Sequence, residues 1–282
     1  MEKIIRRRIS IIIRVYQRLQ DLEICLSTIK KHWTRNDYEI IVVSNGASKG
    51  YIIPESCRNL SDHVVELGCN AGHLEGNSQL IIGGLAKLSP ESDFVVLLEA
   101  DTWIFDDAII DKYINRMQKE NAVWASAEWV EKHHSLALDF AIASATFISE
   151  NPEIFKFSAH AERHVCQHLL QTQQKYIFIT ECMPTHVPKM MRYFYNPFGG
   201  RNRCFIKARM VTHHIEDLPS GITDKMIAAN IVLNRREFSI SNKTKISVSH
   251  AILSIIELIM RITPRSSWIK SKKHYLIKTN HF

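Results

Sequence analysis

The chain has 282 residues, 45% of them hydrophobic and 23% charged, enough to bury a substantial core in one large α/β domain or two small ones. Its 10 Gly and 8 Pro exclude collagen-like and low-complexity classes, and its 6 scattered cysteines, with no Cys-x-x-Cys pair, fit a reducing compartment better than a zinc ribbon or a thioredoxin motif. The net charge of +7 resides at one end: residues 238–282 hold eight Lys/Arg against the acid Glu257, which leaves the first 237 residues balanced. A basic footprint confined to one tail beside an apolar segment points to an anionic membrane surface as readily as to nucleic acid, and a nucleic-acid partner is not expected. The N-terminal residues are basic but run straight into a β-like stretch, without the apolar core and cleavage site of a signal peptide, so a cytoplasmic chain is expected.

In chain order, residues 9–15 form a β-branched run of the kind buried on both faces of a sheet. Leu22, Leu26, Ile29 and Trp33 then recur at helical spacing. A second β-branched run, 39–43, stops at Ser44-Asn45-Gly46, where Asn and Gly permit a tight turn. Residues 64–67 suggest a third strand, Leu74 to Leu88 a helical stripe, and 94–98 a fourth strand. A further helix follows, with Asp106 and Asp107 in its first turn and Ile109, Ile110, Tyr113, Ile114 and Met117 on its buried side. This alternation implies a mainly parallel sheet with helices on both faces, and in such sheets ligands bind beyond the carboxyl ends of the strands. Ser44 to Gly46 and Glu99 to Asp101 therefore belong to one crevice. Residues 186–205, rich in aromatics, Arg, Pro and Gly, suggest a long functional loop, 205–211 a β-like stretch, and 247–262 an apolar-faced helix too short to span a bilayer.

The sharpest local signal is LLEADTW, residues 97–103. Glu99 and Asp101, one residue apart at the end of an apolar strand, can both face the crevice, and their hard oxygens suit Mg²⁺ or Mn²⁺ beside a diphosphate. An isolated acid-x-acid can equally be a pair of solvated charges.

The order of blocks narrows that choice. ISIIIRVYQRLQDLEICLSTI (9–29), EIIVVSNGASKG (39–50), LGCNAGHLEGNSQLI (67–81) and LLEADTW resemble, in order and spacing, the successive blocks of the GT-A family of nucleotide-sugar glycosyltransferases, the inverting family-two type. The resemblance implies a Rossmann-like sheet and assigns Glu99 and Asp101 to metal and donor diphosphate. It places Ser44, Asn45, Asn70, Gly72 and Asn77 near the donor nucleoside. Ser44 stands where the family usually has an acid, with Asn45 as a substitute, and Glu99 stands for the commoner Asp. HAERHVCQHLLQTQQKYIFIT (160–180) resembles the acceptor-side block, in which Glu162 is the one carboxylate and Arg163 takes the slot of the usual second acid. Inverting transfer needs a carboxylate to accept the proton of the acceptor hydroxyl, which makes Glu162 the candidate base and Asp139 the next to try. By the same resemblance His213 and His214 are candidates to complete the metal site.

Other residues carry blander readings. His133 and His134 are expected at the surface. Trp103, Trp124 and Trp129 are expected in the core or crevice wall, and Arg192, Arg201 and Arg203 either meet a diphosphate or stay solvated. The expectation is thus an α/β GT-A domain over 1–237, with a donor half at 1–105 and an acceptor half at 106–237, and a basic, amphipathic tail at 238–282. Its implied work is sugar transfer from a nucleotide-diphosphate donor to a glycan or lipid-linked acceptor, with Mn²⁺ or Mg²⁺, in bacterial surface polysaccharide synthesis. The tail would add a peripheral contact with the inner face of the cytoplasmic membrane. The rivals are a non-catalytic nucleotide-sugar-binding protein on the same scaffold and a sugar-phosphate nucleotidylyltransferase, which would need a Gly-rich loop that residues 14–21 lack.

Overall fold

The computed structural model describes residues 6–130, 135–183, 204–212 and 220–262. The elements within them are, in order, β1 (Arg8–Val15), α1 (Leu19–His32), β2 (Asp37–Ser44), α2 (Glu55–Asn59), β3 (His63–Glu66), α3 (His73–Leu85), β4 (Phe94–Glu99), β5 (Thr102–Ile104), α4 (Ala108–Glu120), β6 (Trp124–Val130), β7 (Ser135–Ser144), α5 (Ala145–Glu150), α6 (Ala161–Gln171), β8 (Tyr176–Phe178), β9 (Cys204–Phe205), β10 (Met210–Thr212), α7 (Ile222–Leu233) and α8 (Lys243–Ile262). Strand β1 carries isoleucine at 9, 11, 12 and 13, and all four are buried because helices cover both faces of the sheet. Alternate side chains serve opposite layers. Ile11 and Ile13 pack in the layer that holds Leu22 and Leu26 of α1, whereas Ile12 packs in the layer that holds Leu80 and Ile81 of α3.

Among the described residues the larger sheet has the order β3-β2-β1-β4-β7-β6-β8. Its first four strands are parallel, as are β6 and β8, and β7 runs against both of its neighbours. The carboxyl ends of β1, β2 and β4 consequently lie side by side, with Arg14 flanked by Val43 and Glu99 in the register. The reversal of β7 pairs Phe140 with Leu98, which brings Asp139 to the same edge. A smaller antiparallel sheet, β5-β10-β9, continues from the end of β4.

Two expectations need correction. The stretch 205–211 is a hairpin rather than one strand: a turn closed by Arg209 N–H donating to the Ile206 carbonyl separates β9 from β10, and Arg209 has φ 46°. Helix α4 begins at Ala108, so Asp107 is its N-cap instead of a first-turn acid. The Asp107 carboxylate is buried and accepts bonds from Thr34 N–H, Arg35 N–H and the Tyr38 hydroxyl, bracing the link between α1 and β2. Trp103 and Trp124 are core residues as expected. Helix α8 presents Ile246, Ser249, Leu253 and Ile256 inward, while Val248, Ile255, Leu258 and Ile262 are exposed. The expected loop ends in a strand, since its last two residues form β9, while His133, His134, residues 186–203 of that loop with its three arginines, and the tail beyond 262 lie outside the described residues.

Candidate active site

A pocket of about 660 Å³ opens where the carboxyl ends of β1, β2 and β4 meet the amino ends of α3 and α6. Its wall takes Arg14 to Arg18 from the end of β1, Asn45 from the turn after β2, and Asn70, Gly72, His73 and Asn77 from the entry to α3. Glu99 to Asp101 follow β4, Leu138 and Asp139 come from β7, and His160 to Glu162 open α6. The fold thus gathers Asn45, Asn70, Gly72, Asn77, Glu99, Asp101 and Glu162, seven of the residues singled out in the sequence. Ser44 is not among the lining residues: it is buried, and its Oγ accepts the Gly46 N–H at 3.2 Å, shaping the turn from behind. His213 and His214 lie outside the described residues, although Thr212, just before them, is described. Its hydroxyl lies 2.7 Å from that of Thr102 and donates to Asp139 at 3.2 Å.

Local backbone requirements explain the wall built by Asn45 and the entry to α3. Gly72 has φ 95°, a left-handed value that costs glycine nothing, and its N–H bonds Asn70 Oδ1 at 2.8 Å as the chain enters α3. At Gly76 a Cβ would come within 2.5 Å of Asn70 Oδ1 and 2.9 Å of Asn45 Nδ2, so only glycine lets both amides approach the helix. The Asn45 amide donates to the Gly76 carbonyl at 3.5 Å, while its buried Oδ1 has no hydrogen-bond partner among the described residues. An orphaned acceptor lining a pocket is suited to a ligand N–H.

Charges at the strand ends are paired across elements. Arg14, with a side chain only 2% exposed, forms an ion pair with Glu99 at 3.6 Å and donates to Asn77 Oδ1 and the Leu138 carbonyl. Arg18, at the N-cap of α1, pairs with Asp101. Behind Asp101, Lys225 of α7 donates to the Asp21 carboxylate of α1 and to the Asp101 carbonyl, with Nζ 4.3 Å from the centroid of the Trp103 ring. The Lys225 and Asp21 side chains are 1% and 2% exposed. Burial pushes the Asp21 carboxyl above its ordinary value, and Lys225 pulls it back only in part.

Sequence reasoning did not find Arg14, Arg18, Asp21 or Lys225. Arg14 is a charge ending an apolar strand, which is a legible sign in retrospect. Lys225 lies in the apolar stretch ITDKMIAANIVL, where nothing local says which charge it will meet.

Glu99 and Asp101 offer hard oxygen donors at a point that already attracts cationic groups, which fits a divalent ion. Among the described residues no group of three His, Cys, Asp or Glu side chains could cage such an ion. Two carboxylates leave most of a divalent ion's coordination positions to other oxygens, such as the phosphates of a ligand.

By sequence, the chain matches no family model and none of the curated proteins. Solved structures do resemble it. The mannosyltransferase PcManGT from Pyrobaculum calidifontis, in complex with GDP-Man and Mn²⁺, has a TM-score of 0.52 at 13% identity, over 94% of this chain and 83% of that one. S. aureus TarS residues 1–349 gives 0.47 at 14% identity over 92% and 82%. Glucosyl-3-phosphoglycerate synthase from Mycobacterium tuberculosis gives 0.45 at 14% over 62% and 70%. The first establishes the fold: a Rossmann-like, GT-A arrangement of a mainly parallel sheet flanked by helices.

Proposed function

We propose that the chain is a glycosyltransferase that moves a sugar from a nucleoside-diphosphate donor to a glycan or lipid-linked acceptor, by inverting and divalent-ion-dependent transfer. One juxtaposition carries the reading: Glu99 and Asp101 at the end of β4 share a single pocket with Glu162 at the start of α6. Donor and acceptor chemistry need carboxylates on different walls, since one set meets the departing diphosphate and the other meets the incoming hydroxyl. In this reading residues 1–105 form the donor half, 106–237 the acceptor half, and 238–282 an accessory segment. Asn45, Asn70, Gly72 and Asn77 receive the nucleoside, with Ser44 acting through the turn it shapes.

Glu99 and Asp101 would hold Mn²⁺ or Mg²⁺, a reading supported by the mannosyltransferase of similar fold, whose structure is a complex with GDP-Man and Mn²⁺. When bound, the ion neutralises charge on the leaving nucleoside diphosphate. His213 and His214 are the next candidates for its ligands, because they follow Thr212, which is bonded beside the strand end. Arg14 and Arg18 are placed to meet phosphate oxygens. The Glu162 carboxylate accepts the proton of the acceptor hydroxyl as that oxygen attacks the anomeric carbon and the bond to the diphosphate breaks on the opposite face.

A binding protein without catalysis is the second reading, and Arg163 favours it by leaving Glu162 the one acid of the acceptor block. Asp139, another carboxylate on the same pocket, weighs against it. The exposed face of α8, followed in sequence by six cations and no acid over 261–278, supports a peripheral place on an anionic membrane, in bacterial surface polysaccharide synthesis. Among the described residues no helix is long and apolar enough to cross a membrane.

Thermal unfolding with UDP, GDP, ADP and CDP, each with and without Mn²⁺, tests the donor reading. A bound nucleotide at a hundred times its Kd is expected to stabilise by about 2.7 kcal/mol, and Asp101→Asn is expected to lose the Mn²⁺-dependent part. If no nucleoside diphosphate shifts the transition, the donor reading fails. Hydrolysis or transfer of the donor sugar separates enzyme from binder.

A further inference from the structure

The geometry points to Lys225 as a positioning residue: from behind the pocket it fixes the backbone of the turn after β4, and with it the direction in which the Asp101 carboxylate faces the ion. This rests on the donor reading above and adds to it a residue that touches neither ion nor nucleotide, since Lys225 does not line the pocket. The backbone around Asp101 is gripped on both sides. Before it, the Ala100 N–H donates to the Arg14 carbonyl at 3.0 Å, and after it, the Asp101 carbonyl accepts from Lys225 Nζ. Each bond holds one planar peptide, and with a held plane on either side the Cα–Cβ bond of Asp101 has little room to turn. The following peptide is tied down as well, for the Thr102 carbonyl accepts from Cys25 Sγ at 3.6 Å.

Lys225 is held in place by a closed ring of contacts. Its Nζ donates to the Asp21 carboxylate and lies over the Trp103 ring, while Trp103 Nε1 donates to the Asp21 carbonyl at 3.2 Å. All three residues are buried, and they come from α7, α1 and β5. Stability alone does not call for such an ion pair. Taking two charges out of water offsets much of their attraction, and apolar residues of similar volume often serve a fold as well or better. What an apolar pair cannot supply is a donor to the Asp101 carbonyl. A buried carbonyl that loses its donor must find another N–H or water, and a peptide that turns to do so carries the Asp101 side chain with it. The costly pair is thus explained by the bond it makes to the acidic turn.

The test compares two double variants of the full chain that both remove the charges. Asp21→Leu with Lys225→Met leaves the carbonyl without a donor, whereas Asp21→Asn with Lys225→Gln keeps an N–H on the same side chain. Urea unfolding gives their stabilities, hydrogen exchange read by mass spectrometry follows the amides of residues 97–105, and calorimetry measures UDP, GDP, ADP and CDP binding with and without Mn²⁺. The apolar pair is expected to exchange several-fold faster at the turn and to bind nucleotide with Mn²⁺ about tenfold more weakly than the parent chain, the scale of one lost hydrogen bond to a charged group. The amide pair is expected to stay within about threefold on both readouts, and binding without Mn²⁺ is expected to change little in either. A merely structural role would instead make affinity follow urea stability, with and without the ion alike, and that result overturns the proposal. So does equal exchange or equal Mn²⁺-dependent affinity in the two folded double variants. If the apolar pair does not fold, Lys225→Met alone, assayed well below its thermal transition, takes its place. If none of the four nucleotides binds the parent chain, the donor reading fails, and the exchange comparison still decides whether Lys225 holds the turn.

Discussion

Glu162 and Asp139 line the same pocket but in different company. Asp139 Oδ2 accepts from the Thr212 hydroxyl at 3.2 Å and Oδ1 accepts from the Phe140 N–H at 3.0 Å, contacts that tie the carboxylate to its own strand and to β10. Glu162 stands half-buried in the first turn of α6. Glu162→Gln is therefore expected to lower kcat by roughly 10²- to 10⁴-fold with little change in donor affinity, and Asp139→Asn to lower it less. Steady-state kinetics on both variants decides between them, and a larger loss in Asp139→Asn would move the base to β7. At this scale the sequence showed Glu99 and Asp101 because charges that end an apolar strand must face an edge. It could not show that each meets an arginine, since Arg14 and Arg18 reach them through strand register and a helix cap that only the fold sets.

Helix α8 was legible as apolar but not as two-faced. Its inner residues Leu253 and Ile256 are buried in the core layer with α7, which satisfies half of the stripe by packing. Ile255, Leu258 and Ile262 remain on the other side and recur every three or four residues, so they form one exposed strip. In the membrane reading proposed above, basic residues near an anionic surface would contribute about 1 kcal/mol each, and the apolar strip would supply the rest of the attachment. The full chain is expected to co-sediment with phosphatidylserine vesicles at low salt, and less so at high salt or with neutral lipid. Ile255→Ser combined with Leu258→Ser is expected to reduce sedimentation several-fold while leaving thermal stability nearly unchanged. If the double variant sediments as the parent chain does, the strip serves some other contact. The hairpin β9–β10 was missed for a different reason: a single left-handed residue, Arg209, breaks a run whose composition reads as one strand.

The molecule as a whole was read correctly in its parallel half because each strand-helix unit there forms from residues adjacent in sequence. The reversed β7 had no such sign, for its side-chain pattern is the same in either direction, and its reversal is what delivers Asp139 to the pocket. The longest-range contact at the site is also the most enclosed. Removing one member of a buried ion pair strands the other without compensation, so Lys225→Met is expected to destabilise the fold by about 3–5 kcal/mol in urea unfolding. The double change Asp21→Leu with Lys225→Met is expected to regain much of that loss, and an additive result would show that the pair is not coupled. The pairing also sets a timetable for the nascent chain. Asp101 and the lysine that holds its carbonyl are 124 positions apart. At about 5–20 residues per second, synthesis needs roughly 6–25 s to pass from one to the other. Through that interval residues 1–105 can exist with every one of their own strands and still lack the brace behind their acidic turn. A chain released early, or stalled before α7, would carry the pocket's front wall without its support, and competence to bind is expected only once α7 has been made.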